Sequence, residues 1–190
     1  RLPLNIFEPR YLSMVRDAIA SPHRLIGMIQ SYDDADEQGR AGALYDIGCA
    51  GRISSFSESD DGRVMFTLSG TTRFRRLEDH EVEDGYRLAQ VSWADFEADL
   101  APVADTIQRD HLVSVLHDYF KIKGFTADWD QLGDCEDERL VTTLSMICPF
   151  DVPEKQALLE ANSLPDRTQL LIAILEMASH SDSDEAGARH

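Results

Sequence analysis

The sequence predicts an α+β protein in which a small, partly closed antiparallel β barrel precedes a bundle of helices. Three observations lead to this prediction. Apolar and polar residues alternate with a period of two through much of the first part of the chain. Tight-turn signals separate the alternating segments. Near residues 97–103 the apolar period becomes helical, which indicates that strands give way to helices there.

One early helix precedes the long strands. Pro9 suits a first helical turn, and Ser21-Pro22 ends the helix, so that it spans residues 9–20. Its apolar face consists of Tyr11, Leu12, Val15 and Ile19. Residues 25–29 then predict a strand, and the polar, acidic residues 33–42 predict a mobile loop.

The following strands are long and joined by tight turns. The apolar side of the first strand, which runs from residue 45 towards 56, carries Ile47, Cys49, Gly51 and Ile53. The turn signal Asp61-Gly62 leads into a second strand, whose alternating positions are Val64, Phe66, Leu68, Gly70, Thr72 and Phe74. After the turn signal Asp84-Gly85, the apolar parity changes between Leu88 and Val91, which predicts either a bulge or a coiled strand that wraps a barrel corner.

The second part of the chain has helical periodicity. One stripe ends at Lys123-Gly124 and comprises Ile107, Leu112, Val115, Leu116 and Tyr119. A further helix is predicted over about 136–148. We expect a β-rich subdomain at 1–98, a helical subdomain at 99–179 and a flexible acidic tail at 180–190.

The stretch P-F-D-V-P-E-K at 149–155 raises the question whether its charged residues are catalytic. Asp151 and Glu154 have the spacing of a reciprocal capping box, and Ser163 with Asp166 repeats that spacing one helix later. We therefore interpret Glu154 as a capping residue. Lys155 and Glu160 are interpreted as surface or salt-bridge positions.

Composition excludes some functions. The chain has 190 residues, 35 acidic against 18 basic residues and a formal charge of −17, so long-range repulsion disfavours polyanions such as nucleic acids. No apolar run is long enough to span a bilayer, and no membrane association is expected. Three widely spaced cysteines fit free thiols in a reducing compartment, which favours the cytoplasm.

Sequence patterns for catalysis and metal binding are weak. Neither a G-x-x-x-x-G-K-[ST] loop nor a G-x-S-x-G elbow occurs. Cys49 and Cys148 are expected to be inert buried thiols, while Cys135 has acidic neighbours that disfavour a thiolate. His111 and His117 lie six residues apart and do not share a helix face, and the acidic run 134–138 fits a helix start. No cofactor and no catalytic, cofactor-binding or metal-binding residue is assigned.

Four segments carry a resemblance to a known family. They are L-P-L-N-I-F-E-P-R-Y-L-S-M-V at 2–15, I-G-C-A-G-R-I at 47–53, D-G-R with L-S-G-T-T-R-F-R at 61–75, and P-F-D-V-P-E-K-Q-A-L-L-E-A at 149–161. In this order they resemble the Lon substrate-binding domain, also called the Lon N-terminal domain. The resemblance implies a PUA-like β pseudo-barrel followed by a helical bundle. It also implies an opening strand before Arg1, without which the barrel would be incomplete at that edge.

In Lon proteases this domain precedes an ATPase and a Ser-Lys peptidase and helps to recognise substrates. The resemblance therefore implies a non-catalytic module that binds polypeptide segments or works beside a protease or chaperone. Its peptide-binding residues and oligomeric state are not assigned. An unrecognised hydrolase, a metal-dependent enzyme and a scaffold with a broad apolar patch remain alternatives. RNA binding is a further alternative, because PUA-like folds occur in RNA-binding proteins and R-F-R-R at 73–76 is a basic cluster.

Overall fold

The computed structural model describes residues 1–32, 42–60, 62–83, 85–101 and 106–187, the last seven by their backbone alone. Two compact units divide the chain, Arg1–Pro102 and Val103–His190, slightly later than the predicted boundary at 98/99. The elements in chain order are β1 Leu2–Ile6, α1 Pro9–Ala20, β2 Leu25–Met28, β3 Ile47–Glu58, β4 Val64–Glu81, β5 Arg87–Ser92, a 3₁₀ segment Ala94–Leu100, α2 Arg109–Lys123, α3 Trp129–Gly133, α4 Asp137–Ile147, α5 Val152–Glu160 and α6 Leu164–Gly187.

In its described residues, the first unit consists of an antiparallel sheet, the helix α1 and the 3₁₀ segment. Its strand order is β1-β4-β3-β2, with β5 also paired to β4. The 18-residue strand β4 joins the sheet together, because its first part pairs with β1 and its last part with β5. The α+β prediction, with a β pseudo-barrel and one early helix before a helical bundle, is thus confirmed. The predicted loop at 33–42 lies almost wholly outside the described residues.

The core of the first unit lies between the sheet and α1. Its buried members are Val15, Ala18, Ile26, Ile53, Val64, Phe66 and Leu68. Phe74 packs nearby over Gly48, where a Cβ would lie 2.5 Å from the Phe74 ring and 2.7 Å from the Met28 carbonyl oxygen. Only glycine therefore fits at position 48 without displacing backbone.

Bulges change the expected side-chain alternation. At the register shift beside Ala50 and Gly51 the extra residue, Thr71, lies on β4, because Ala50 pairs with Thr72 and Gly51 with Gly70. In β3 both Ala50 and Gly51 are buried, while Cys49 is only partly buried. The expectation that Cys49 is a buried thiol was wrong, because residues on both sides of β3 are buried here and alternation alone does not decide which side chain is covered. The bulge predicted near β5 lies on its neighbour, since Leu77 is the unpaired residue between Arg76 and Glu78 of β4.

The glycines of the predicted turns have the backbone conformation that such turns require. Gly62 and Gly85 have φ of 78° and 79°, values that glycine adopts without steric cost. Their preceding aspartates lie outside the described residues. The predicted acidic bend after β5 is a 3₁₀ segment that packs against β4.

The second unit is a bundle of helices around an apolar core. The buried residues are Leu112, Leu116, Tyr119, Phe120, Leu140, Val141, Leu144, Cys148, Phe150, Leu158, Leu164, Leu171, Ile172, Ile174 and Leu175. Helix α2 ends where predicted, at the left-handed Gly124 (φ 69°). The short helix α3 was not predicted. Helix α6 continues to Gly187, into the segment expected to form a flexible tail. Among the described helices, none is both long enough and apolar enough to cross a bilayer.

Candidate functional site

The basic cluster at 73–76 is held by carboxylates within the first unit. Arg73 is only 8% exposed, and its guanidinium donates to both carboxylate oxygens of Asp99, at 2.7 Å from Nη2 to Oδ1 and 2.9 Å from Nε to Oδ2. The backbone N–H of Arg73 also donates to Asp99 Oδ2 at 2.9 Å. The guanidinium carbon lies 4.7 Å from the centroid of the Phe96 ring. Asp99 therefore neutralises the Arg73 guanidinium. It also accepts a hydrogen bond from the Arg73 backbone N–H of β4, which does not bond to a neighbouring strand.

The other two arginines of the cluster also have acidic partners. Arg75 Nε lies 2.8 Å from Asp95 Oδ2 in an exposed pair. Arg76 Nη1 lies 2.7 Å from Asp79 Oδ1, and its Nη2 lies 3.2 Å from Asp46 Oδ1. A phosphate backbone would have to displace these carboxylates, so the electrostatic attraction that RNA binding needs is already offset here. The sequence analysis treated 73–76 only as a basic cluster and did not predict the burial of Arg73.

The cysteines have no arrangement that activates a nucleophile. Burial raises the pKa of the Cys148 thiol to about 11, with a smaller opposing effect from the positive charge of Lys155. A thiol with so high a pKa carries almost no thiolate near neutral pH. Cys49 and Cys135 form no disulfide in the described part of the chain and are partly buried.

The histidines singled out from the sequence lie apart from each other. His111 Nε2 is 3.5 Å from Glu176 Oε1, while the His117 ring packs against Trp129 at a centroid distance of 5.0 Å. In the part of the chain that the structure describes, no three His, Cys, Asp or Glu side chains are grouped closely enough to hold a metal ion.

The charged residues of 149–166 have structural roles. Asp151 Oδ1 accepts a hydrogen bond from the Glu154 N–H at 3.3 Å, and Glu154 Oε2 accepts one from the Asp151 N–H at 3.0 Å. The capping-box prediction for α5 is therefore confirmed. Glu160 accepts a hydrogen bond from Gln156 at 2.7 Å, and Ser163 accepts one from the Asp166 N–H at 3.2 Å.

Two grooves, one in each unit, offer space for a ligand. The groove of the first unit has a volume of about 320 Å³ and crosses β1, β4 and β3. It runs between two cross-strand rows, Pro3–Thr67–Ser55 and Asn5–Met65–Ser57. It contains no charged residue in the described part of the chain, and Met65 is half exposed. Sequence alternation alone could not find this groove, because it depends on the register of three strands.

The groove of the second unit is larger, with a volume of about 610 Å³, and lies along helices α2 and α6. Its lining is Val115, Asp118, Lys121, Ile122, Glu176, Ser179 and His180. The sequence analysis assigned Val115 to the apolar stripe of α2, and the structure places it only partly in the core. The spacing of Val115 and Ile122, seven residues apart, was the available signal for a partly exposed apolar stripe.

Comparisons with known proteins agree with this fold. The family model described as "ATP-dependent protease La (LON) substrate-binding domain" matches residues 1–177. A Lon protease from Azorhizobium caulinodans is 24% identical over 145 residues, which are 75% of this chain and 17% of that protein. The chain thus spans under a fifth of that relative.

Two solved structures have the same fold. One is the Lon N-terminal domain protein from Xanthomonas campestris, with a TM-score of 0.62, 24% identity, and coverage of 90% of this chain and 88% of that one. The other is the N-terminal domain of Mycobacterium avium complex Lon protease, with a TM-score of 0.54 and 14% identity. That similarity covers 92% of this chain and 90% of the other.

Proposed function

This chain belongs to the family of ATP-dependent protease La (LON) substrate-binding domains, and on that premise we propose that it binds polypeptide segments without cleaving them. The observation that carries the proposal is the family match over residues 1–177. The bound segment is an unfolded stretch of another protein. The module presents it to a protease or chaperone.

The surface of each unit supports this proposal. Both grooves contain apolar side chains that remain partly exposed, Met65 in the first unit and Ile122 in the second. Further exposed apolar residues include Phe7 at 64% and Ile147 at 65%. Unfolded chains expose apolar side chains that folded proteins bury, so surfaces of this kind favour unfolded over folded partners.

The absence of catalysis is part of the proposal. Among the described residues, no three His, Cys, Asp or Glu side chains are grouped closely enough to hold a metal ion for metal-assisted hydrolysis. The one thiol with a resolved pKa shift is shifted away from reactivity. Three free cysteines fit a reducing compartment, and we place the protein in the cytoplasm.

A binding measurement tests the proposal directly. Fluorescein-labelled ribonuclease A is prepared in a native form and in a reduced, alkylated and unfolded form, and each is titrated with the purified chain. Fluorescence anisotropy should rise with the unfolded form and stay flat with the native form. Equal responses from the two forms, or no response from either, would contradict polypeptide binding.

Cleavage and partnership need separate measurements. The unfolded ribonuclease should keep its full length on a denaturing gel after overnight incubation with the chain, and the appearance of fragments would contradict a non-catalytic role.

A pull-down from native lysate should retain one protease or chaperone at a fixed stoichiometry. Retention of unfolded chains alone would support polypeptide binding but contradict a specific protease or chaperone partner.

A further inference from the structure

The groove along α2 and α6 combines an apolar floor with carboxylates. Val115 and Ile122 are seven residues apart on α2, so they lie on nearly the same face, separated by about 10.5 Å along the helix axis. A groove two helical turns long accommodates a few residues of polypeptide. Its volume of about 610 Å³ lies within the usual range of ligand sites.

The two carboxylates in the groove differ in whether they have an ionic partner. Glu176, on the α6 side, lies 3.5 Å from the His111 imidazole. Asp118, on the α2 side, has no ion pair with any residue in the described part of the chain. Lys121 also lines the groove, one turn after Asp118. The chain as a whole carries a formal charge of −17, so the field around the groove attracts cations.

We propose that this groove binds a polypeptide segment in which a large apolar residue stands next to an arginine or lysine. The proposal rests on the proposed function and names the class of segment that this surface recognises. The apolar residue packs on Val115 and Ile122, and the basic residue extends its cationic head to the Asp118 carboxylate. Long basic side chains suit this position because their methylene stems cover apolar surface while the charge stays in water.

Charge selects the segment as much as apolar contact does. A segment with acidic residues beside its apolar ones meets two carboxylates, Asp118 and Glu176, against one lysine, Lys121, and is also repelled by the net charge of the protein. A basic segment without apolar residues gains only the long-range attraction, which salt screens. The groove therefore favours the apolar and basic segment over two others, each of which differs from it in one property, either the sign of its charge or the presence of apolar residues.

The probes are three fluorescein-labelled decapeptides, of alternating Leu and Arg, alternating Leu and Glu, and alternating Ser and Arg. We expect the Leu/Arg peptide to bind at least about tenfold more tightly than either of the other two by anisotropy. Equal affinity for the Leu/Arg and Ser/Arg peptides would overturn the proposal, because it would reduce recognition to net charge. Equal affinity for the Leu/Arg and Leu/Glu peptides would overturn it as well.

Two substitutions locate the binding. Asp118→Asn should weaken the Leu/Arg peptide about three- to fivefold, as expected for a partly exposed ion pair. Ile122→Gln should weaken it about tenfold by removing apolar contact. Asp110→Asn on the same helix and Ile147→Gln on α4 are the matched controls outside the groove, and both should bind as the unchanged protein does.

The outcomes separate this proposal from the function on which it rests. All four positions are exposed, so circular dichroism should show unchanged helix content. If unfolded ribonuclease binds but neither groove substitution weakens the Leu/Arg peptide more than its control, the groove is wrong and polypeptide binding stands. If neither the ribonuclease nor any peptide binds, both proposals fail.

Discussion

The two units differ in how far along the chain the partners of their buried polar side chains lie. The first unit buries Arg73, whose partner Asp99 is 26 residues away in the chain. The buried polar side chains of the helical unit are Gln156, Thr168 and Ser179, and each forms a hydrogen bond to a residue four positions away on its own helix. A long-range ion pair thus holds the buried charge of the first unit, whereas the buried polar side chains described in the second unit form hydrogen bonds within their own helices. The ion pairs that join helices in the second unit, Arg109 with Asp137 and His111 with Glu176, are more exposed.

The difference follows from secondary structure. A helix pairs nearly all its backbone groups internally, so side chains alone determine how it packs. A strand whose neighbour ends leaves N–H groups unpaired, as β4 does between the ends of β1 and β5. Asp99 pairs with one of these donors, the N–H of Arg73, and holds the 3₁₀ segment against the strand. The first unit is therefore more sensitive to a single charge, and the second to a single cavity.

The largest expected effect is on the ion pair. Asp99→Asn leaves the buried Arg73 guanidinium without its counter-charge, and unpaired buried charges cost about 3–5 kcal/mol. The free energy of unfolding of the first unit should fall by about this amount. Trp93 lies in this unit and Trp129 in the other, so a Trp129→Phe background makes urea-induced fluorescence change specific to the first unit.

Two further variants sharpen this test. Adding Arg73→Met to Asp99→Asn should recover more than half of the lost free energy, because the unpaired charge is removed. Asp95→Asn breaks the exposed pair with Arg75 and should cost at most about 1 kcal/mol. Equal losses from Asp95→Asn and Asp99→Asn would show that burial of the ion pair does not matter.

The second effect is a cavity in the helical unit. Leu175 on α6 is 0% exposed, and Leu175→Ala should lower the free energy of unfolding of this unit by about 2–5 kcal/mol. Trp129 fluorescence in a Trp93→Phe background reports the transition. Ile147→Ala, at a position 65% exposed, should change it by no more than about 0.5 kcal/mol. Identical shifts at both tryptophans would show that the units unfold together, and the comparison would then fail.

The pH dependence of the second unit gives a smaller effect. Burial raises the pKa of Cys148 to about 11, so the folded state keeps the thiol proton at a pH where the unfolded state has lost it. The stabilisation is complete below the pKa of the unfolded thiol, near 9, and about 2–3 kcal/mol is lost as the pH rises to about 11.

Urea denaturation at pH 8, 9, 10 and 11 measures this dependence. Cys148→Ala removes the thiol, so the stability of this variant should fall less steeply over the same pH range. All other ionisable groups are common to the two proteins, so their contributions cancel in the difference between the two slopes. Parallel slopes would mean that the thiol is ionised in the folded state as readily as in the unfolded one.

Local sequence signals predicted much of the fold. Pro9 marks the start of α1, Gly124 marks the end of α2, and the spacing of Asp151 and Glu154 marks the cap of α5. Each of these features depends on residues a few positions apart. The resemblance to the Lon family supplied the order of the two structural parts, which local signals alone left open.

The features that were missed depend on distant residues. Burial of Arg73 requires Asp99, and the register of β3 against β4 depends on the extra residue Thr71 in β4. The two grooves depend on which strands or helices are neighbours, so alternation along one element could not reveal them. Periodicity predicts which face of an element is apolar but not what covers that face.

The smallest expected effect is at the cap of α5. Asp151→Ala removes the side-chain acceptor for the Glu154 N–H and should lower the free energy of unfolding of the second unit by about 1 kcal/mol, measured at Trp129. Asp151→Asn keeps an acceptor without the charge, so it separates the hydrogen bond from the interaction with the helix dipole. Recovery with asparagine assigns the effect to the local hydrogen bond, as expected if the polar groups that matter most to this unit bond within their own helices. A loss as large with asparagine as with alanine would instead make the charge of Asp151 decisive, and the contrast with the first unit would weaken.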